Sequence, residues 1–318
     1  MRLSSYIPLL VDINRDWRQI RRYLLKGCLF FFILLVLDHG LAMFFTAGLR
    51  RYFGFDRKTD ILCVGHSQTL LGINERELGR QLGVTATQYT MDGVNVVDRY
   101  AMIQQFLSYH PEVRLILYDV ESTLFAADKL SSNSYRRFFP FMDDPAMCAK
   151  IKLECRPSFD FWLRKASWCA RFDEATLNRS IRGWLNMRQN MKWGSLDAER
   201  VREWVRLGRI QSPSVDPNVQ GVFLDTINYV TSRNIKVLLW NAPIVDIVDD
   251  FEHDKRVAIR AGFKKLASEN RLVSYIDYVQ RYSGRYDLFY DHMHMNAKGQ
   301  TELTGQLASD IDRLGLLK

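Results

Sequence analysis

Two stretches of the chain carry side chains suited to covalent chemistry. In Gly65-His66-Ser67-Gln68 a serine follows directly on the short apolar run 60–65. A serine at such a strand-to-helix turn presents its hydroxyl at the sheet edge, and the N–H groups of the turn can stabilise an oxyanion. The same position also suits a helix N-cap, so the serine alone specifies nothing. Near the other end runs Tyr290-Asp291-His292-Met293-His294-Met295-Asn296-Ala297-Lys298-Gly299. An aspartate three residues before a histidine can set its carboxylate on the imidazole Nδ1. That fixes the tautomer and supports the imidazolium formed when the ring takes a proton from a serine. A plain alternative is a polar turn that caps the last helix through Asn296.

The elements that must position these residues alternate between strand and helix. Apolar runs at 60–65, 85–89, 114–119, 234–240 and 272–277 read as strands, and helical patterns occupy 69–82, 95–109, 218–233, 252–269 and 297–315. Five strands alternating with helices imply an α/β fold, a three-layer α/β/α sandwich with a mostly parallel five-stranded sheet. Ligands in such sheets bind outside the carboxyl ends of the strands, where Ser67 is expected. Residues 122–217 break the alternation and read as a helical insertion, with helical patterns near 143–152, 159–170, 173–192 and 196–207. An insertion at the carboxyl end of a strand overhangs the site as a lid or docking surface.

The amino-terminal region is of another kind. Residues 27–49 read GCLFFFILLVLDHGLAMFFTAGL, with Asp38 as the single charged side chain. About 20 apolar residues match a bilayer core, so an uncleaved transmembrane signal-anchor is expected over 27–49, after a segment 1–26 and before a domain 50–318. Six basic residues against two acidic ones in 1–26 place that segment in the cytoplasm and the domain outside it. Asp38 and His39 sit near the middle of the span, where a charge normally faces protein or water; contact with a partner membrane protein is one reading, a protonated Asp38 in lipid the other.

Composition limits the rest. With 318 residues, 47% hydrophobic and 25% charged, the chain is neither disordered nor a polytopic membrane protein. The net charge of +8 raises nucleic acid as a partner, but residues 1–26 supply +4 of it (six basic minus two acidic), and membrane orientation explains that half. No nucleic-acid partner is expected. The five cysteines show no CxxC or Cys/His spacing, so no metal site and no cofactor are expected; two of Cys148, Cys155 and Cys169 are close enough in sequence to pair in an oxidising compartment.

Taken together, the serine after the first strand and the terminal Asp-x-x-His followed by Met-Asn-Ala-Lys-Gly resemble the SGNH (GDSL-like) hydrolase superfamily over about 60–125 and 218–315. The resemblance implies Ser67 as nucleophile, His294 as general base and Asp291 as its orienting acid. It also implies Gly93, in the turn after the second strand, as an oxyanion donor. The family's third-strand Gly-x-Asn-Asp is absent, since the strand runs on as Tyr118-Asp119-Val120-Glu121, and Asn95 is the candidate replacement donor. His66 stands where the family often has aspartate. A membrane anchor on such a domain resembles the proteins that complete O-acylation of cell-envelope polymers, in alginate acetylation and in D-alanine transfer to teichoic acid. That branch implies a polytopic membrane acyltransferase as partner and a carbohydrate polymer as substrate. An α/β-hydrolase elbow, Gly-x-Ser-x-Gly, fits less well, because Thr69 stands at its last glycine and the serine follows the first strand of the domain, with no room for the strands that usually come before the elbow.

Overall fold

The computed structural model describes residues 7–126, 131, 135–155 and 158–318. Its centre is a sheet of β1 (Ile61–Gly65), β2 (Ala86–Thr90), β3 (Leu115–Val120), β4 (Lys236–Asn241) and β5 (Val273–Asp277). The order is β2-β1-β3-β4-β5, and every neighbouring pair is parallel. The chain leaves β1 to one side for β2 and returns on its other side as β3, so the carboxyl end of β1 is the point where the winding reverses. A crevice opens there, and Ser67 follows at that end.

Among the described residues thirteen helices flank or extend the sheet: α1 (Ile7–Tyr52), α2 (Ser67–Gly72), α3 (Glu75–Leu82), α4 (Val96–Tyr109), α5 (Pro145–Cys155), α6 (Phe159–Ala166) and α7 (Glu174–Trp184), then α8 (Ala198–Arg206), α9 (Pro217–Thr231), α10 (Asp246–Asp249), α11 (His253–Glu269), α12 (Val279–Tyr282) and α13 (Ala297–Arg313). Successive strand side chains point to opposite faces, so each strand feeds two cores. Leu62 and Val64 of β1 pack with α4, α9 and α11; Ile61 and Cys63 pack with α3 and α13. The result is the expected three-layer sandwich.

Local chemistry shifts several expected boundaries. The single helix expected over 69–82 is two, because Asn74 takes an extended conformation and caps α3 by accepting from the Glu77 N–H. The helix expected over 173–192 ends at Trp184, and Asn186 at φ 56° turns the chain away. The helix expected over 159–170 stops at Ala166 and continues after a break as a short 3-10 turn, Cys169–Arg171.

The amino-terminal helix is longer than the apolar run. α1 has 46 residues, which at about 1.5 Å each is roughly 70 Å. It contains the one helix among the described residues long and apolar enough to cross a membrane. Its large apolar side chains from Ile20 to Leu37 are exposed, whereas Ala42, Leu49 and Tyr52 are buried against the domain. The burial comes from α7, which crosses α1 at Gly48 and Gly183. A Cβ on Gly183 would fall 1.9 Å from the Gly48 carbonyl oxygen, so only glycine permits this approach.

Asp38 has its partners within the chain. Its carboxylate accepts from Ser167 Oγ at 2.8 Å, Trp168 N at 2.7 Å and Cys169 N at 2.9 Å, and the His39 ring lies 4.0 Å from that of Trp168. Neither sequence reading of Asp38 describes this: the side chain closes the amino end of the 3-10 turn, as an N-cap does for a helix. Cys148 and Cys169 are free thiols, so they do not bridge; the Cys155 side chain lies outside the described residues.

Candidate active site

The β1–α2 turn builds the serine end of the site. Gly65 has no room for a side chain: a Cβ would sit 2.0 Å from Thr69 Oγ1 and 2.5 Å from Asp119 Oδ2. The cap of α2 is His66, whose Nδ1 accepts from the Gln68 N–H at 3.0 Å. Nδ1 is thereby the unprotonated nitrogen, and Nε2 donates to Glu121 Oε1 at 3.0 Å. Ser67, relieved of the capping role that its sequence position suggested, begins the helix with its hydroxyl partly open.

The loop before α13 builds the other end. Asn296 caps that helix by accepting from Gly299 N, and it donates to the Asp287 and Gly194 carbonyls at 2.9 Å each. An antiparallel bridge between Phe289 and Met295 closes the loop between them. Inside it, Asp291 Oδ1 accepts from the backbone N–H groups of Met293 and His294. The cap of the last helix and the Asp-x-x-His geometry therefore coexist in one turn.

The two ends meet. His294 Nε2 lies 2.7 Å from Ser67 Oγ, and His294 Nδ1 lies 2.8 and 3.0 Å from the two oxygens of Asp291. Burial pushes the Asp291 carboxyl up, but hydrogen bonds from His294 and the Met293 N–H outweigh it, and its pKa falls below the ordinary value. Asp291 is thus ionised at neutral pH and holds the Nδ1–H, which leaves Nε2 free to take the serine proton. His292 is not part of this chain: burial pushes its pKa down, and its ring packs edge-on against Trp204.

Gly93 lies in the exposed turn after β2 at φ 73°, a conformation that favours glycine. Asn95 has a structural task that its sequence position did not reveal. It caps α4 by accepting from Asp98 N at 3.1 Å, and Asp98 accepts from Asn95 N at 3.0 Å, a reciprocal capping box.

Directly behind the serine lies a network the sequence reading missed. Arg99 Nη1 is 2.6 Å from Asp119 Oδ1, both fully buried, and Thr69 Oγ1 donates to Asp119 Oδ2 at 2.5 Å. Burial pushes Glu121 up, yet its bonds to His66 and the nearby Arg99 outweigh this and hold it at about 2. The signal was available as two carboxylates closing the apolar strand, Leu115-Ile116-Leu117-Tyr118-Asp119-Val120-Glu121.

The insertion ties both ends together. Gln300 Nε2, on α13, donates to the Asn190 carbonyl and to the Leu71 carbonyl of the serine helix, while the Ala297 N–H donates to Lys192 O. Arg179 of α7 pairs with Asp92, beside Gly93, at 2.9 Å. Two cavities lie near these elements, one beside the serine helix and one against the triad loop. One of about 720 Å³ is lined by Leu70, Asp92, Arg179, Asn190 and Lys192. The other, of about 250 Å³, is lined by Glu121, Asn241, Arg256, His292 and Met293. Among the described residues no group of three or more His, Cys, Asp or Glu side chains is placed to hold a metal ion.

No protein-family model matches the chain, and no curated protein matches its sequence. Among solved structures it is similar to a Bacteroides fragilis protein described as a candidate acylhydrolase, at TM-score 0.43 and 12% identity, over 86% of this chain and 98% of that one. It is similar to TesA at TM-score 0.41 and 11% identity, over 80% and 98%. An acetyl xylan esterase from the rumen bacterium Butyrivibrio proteoclasticus aligns at TM-score 0.31 and 8% identity, over 82% and 65%. Likeness this distant assigns no activity.

Proposed function

We propose that the chain is a serine esterase or O-acyltransferase of SGNH type, held at a membrane by α1 and acting on O-acyl groups of exported cell-envelope polysaccharide. One observation carries the catalytic part: the continuous Ser67–His294–Asp291 chain of hydrogen bonds at the carboxyl end of β1. Ser67 Oγ attacks the ester carbonyl carbon as its proton passes to His294 Nε2. The tetrahedral intermediate then collapses, the carbon–oxygen bond to the leaving alkoxide breaks, and His294 returns the proton to that oxygen. The acyl group is left on Ser67. A sugar hydroxyl, or water, next gives its proton to His294 and attacks the acyl carbon; the bond from that carbon to Ser67 Oγ breaks, and His294 returns the proton to Oγ, which transfers the acyl group and restores the serine. Asp291 keeps its charge throughout and supports the transient imidazolium. Gly93 N–H is the proposed oxyanion donor.

The membrane-anchored resemblance supplies the rest of the proposal: a polytopic acyltransferase delivers the acyl group, and a carbohydrate polymer receives it. The larger, polar-lined cavity beside the serine helix is the proposed seat of the polymer. A second reading has its own observation. Glu121, anionic and hydrogen-bonded to the residue before the serine, follows the third strand, whose neutral donor motif this chain lacks, and a negative charge near the serine opposes an oxyanion. On that reading the domain binds polysaccharide or scaffolds a membrane complex without turnover. A fluorophosphonate probe separates the two. The enzyme reading expects labelling that is lost in Ser67→Ala; an unlabelled, folded wild type supports the silent domain.

A further inference from the structure

We infer that the outer faces of α6 and α7 lie in the lipid bilayer beside α1, so that the insertion contacts acyl chains and headgroups as well as the anchor does. The first argument is length. Between Lys26 and Asp38 the charge-free part of α1, 27–37, has 11 residues, about 16 Å of helix, against a hydrocarbon thickness of roughly 30 Å. A span of about 20 residues counted from Gly27 ends near Thr46, which puts Asp38 some 12 Å inside the far boundary. Asp38 is bonded to Ser167, Trp168 and Cys169, so this segment of the insertion shares its depth.

The second argument is what stands beside that segment. On α6, Phe159 is 83% and Trp162 58% exposed, with Leu163 beside them, at the i, i+3, i+4 spacing of one helix face. Ile181 of α7 and Leu185, its C-cap, form a second exposed pair four residues apart, and Trp184 stacks on Phe44 of α1 at 5.0 Å. The α7 face thus joins the exposed apolar surface of α1 at Phe44, and α6 ends one residue before the Ser167–Cys169 segment that binds Asp38 of the same helix α1. Exposed Phe159 and Trp162, with the exposed Lys165 in the last turn of α6, are the composition of an interfacial helix. The carboxylate of Asp38, expensive in lipid alone, is covered by three donors from the insertion.

This surface does not depend on the activity proposed above, and it is tested on the full chain reconstituted in phosphatidylethanolamine–phosphatidylglycerol vesicles. A photoreactive p-benzoylphenylalanine replaces one residue at a time: Phe31, Phe159, Trp162, Leu185 or Leu207, the last an exposed residue just past α8. After irradiation, mass spectrometry is expected to show lipid adducts at Phe31, Phe159, Trp162 and Leu185, with yields about ten-fold above Leu207. Adducts at Phe31 with Phe159 and Trp162 no higher than Leu207 would overturn the inference. So would the absence of lipid adducts at Phe31, since the surface requires α1 in the bilayer. Irradiation in cells that joins Phe159 and Trp162 to a protein, without lipid adducts there, would assign the face to a protein partner instead.

Discussion

Two polar assemblies lie back to back at the carboxyl ends of β1 and β3, and they are built to opposite rules. In front, Ser67, His294 and Asp291 are joined end to end, but the serine end is partly open and faces the crevice. Behind, Arg99 and Asp119 are closed off from solvent, and Thr69 donates a hydrogen bond to Asp119. A chain with one open end can pass a proton outward, whereas a buried closed pair can only hold position. The proposed chemistry therefore belongs to the front, and the rear ties the end of β3 to the helices that begin behind the serine.

This contrast is open to attack from both sides. Ser67→Ala should abolish phosphonate labelling and reduce ester turnover by about 10³-fold or more, with a melting temperature near that of wild type. A large thermal loss in that variant would mean the front is structural after all. Asp291→Asn should lower kcat by about 10⁴-fold, because an amide in place of the carboxylate favours the wrong tautomer; steady-state kinetics on a chromogenic ester reads it. The rear should respond in stability. Arg99→Ala leaves Asp119 buried without its cation and should cost about 3–5 kcal/mol in urea unfolding. Replacing both together, Arg99→Met with Asp119→Leu, should recover part of that loss, since no bare charge remains.

The smallest effect is the pH dependence. Asp291 and Glu121 both have pKa values below the ordinary carboxylate value of about 4, and Glu121 is at about 2. A depressed folded pKa means that the unfolded chain binds the proton first. The stability these groups contribute is therefore complete above about pH 5 and is lost as pH falls from there towards 2. Melting temperatures taken across that window should decline, and Glu121→Gln should flatten the decline. An unchanged slope in that variant would remove Glu121 from the account.

The front was more legible in the sequence than the rear. Ser67 after an apolar run and Asp291 three residues before His294 are local patterns, and the five strands follow from runs long enough to bury. The pairing of His66 with Glu121, and of Arg99 with Asp119, spans different elements and leaves no periodic trace. Asn95 is a local case of another kind: Asp98 three residues on completes a capping box with the Asn95 backbone N–H and Oδ1, a second task beside the one its type suggested. Asp38 was read against lipid because its neighbours in sequence are apolar; the donors that cover it lie 129–131 residues later.

The bond between Ser67 and His294 joins residues 227 positions apart. During synthesis the chain therefore exposes its serine long before the base exists, and a polypeptide interrupted anywhere ahead of residue 291 has neither base nor orienting acid. On the proposed mechanism such unfinished chains carry a serine that cannot yet be activated, and the site is assembled only after residues 291–294 have been made and have folded against β1.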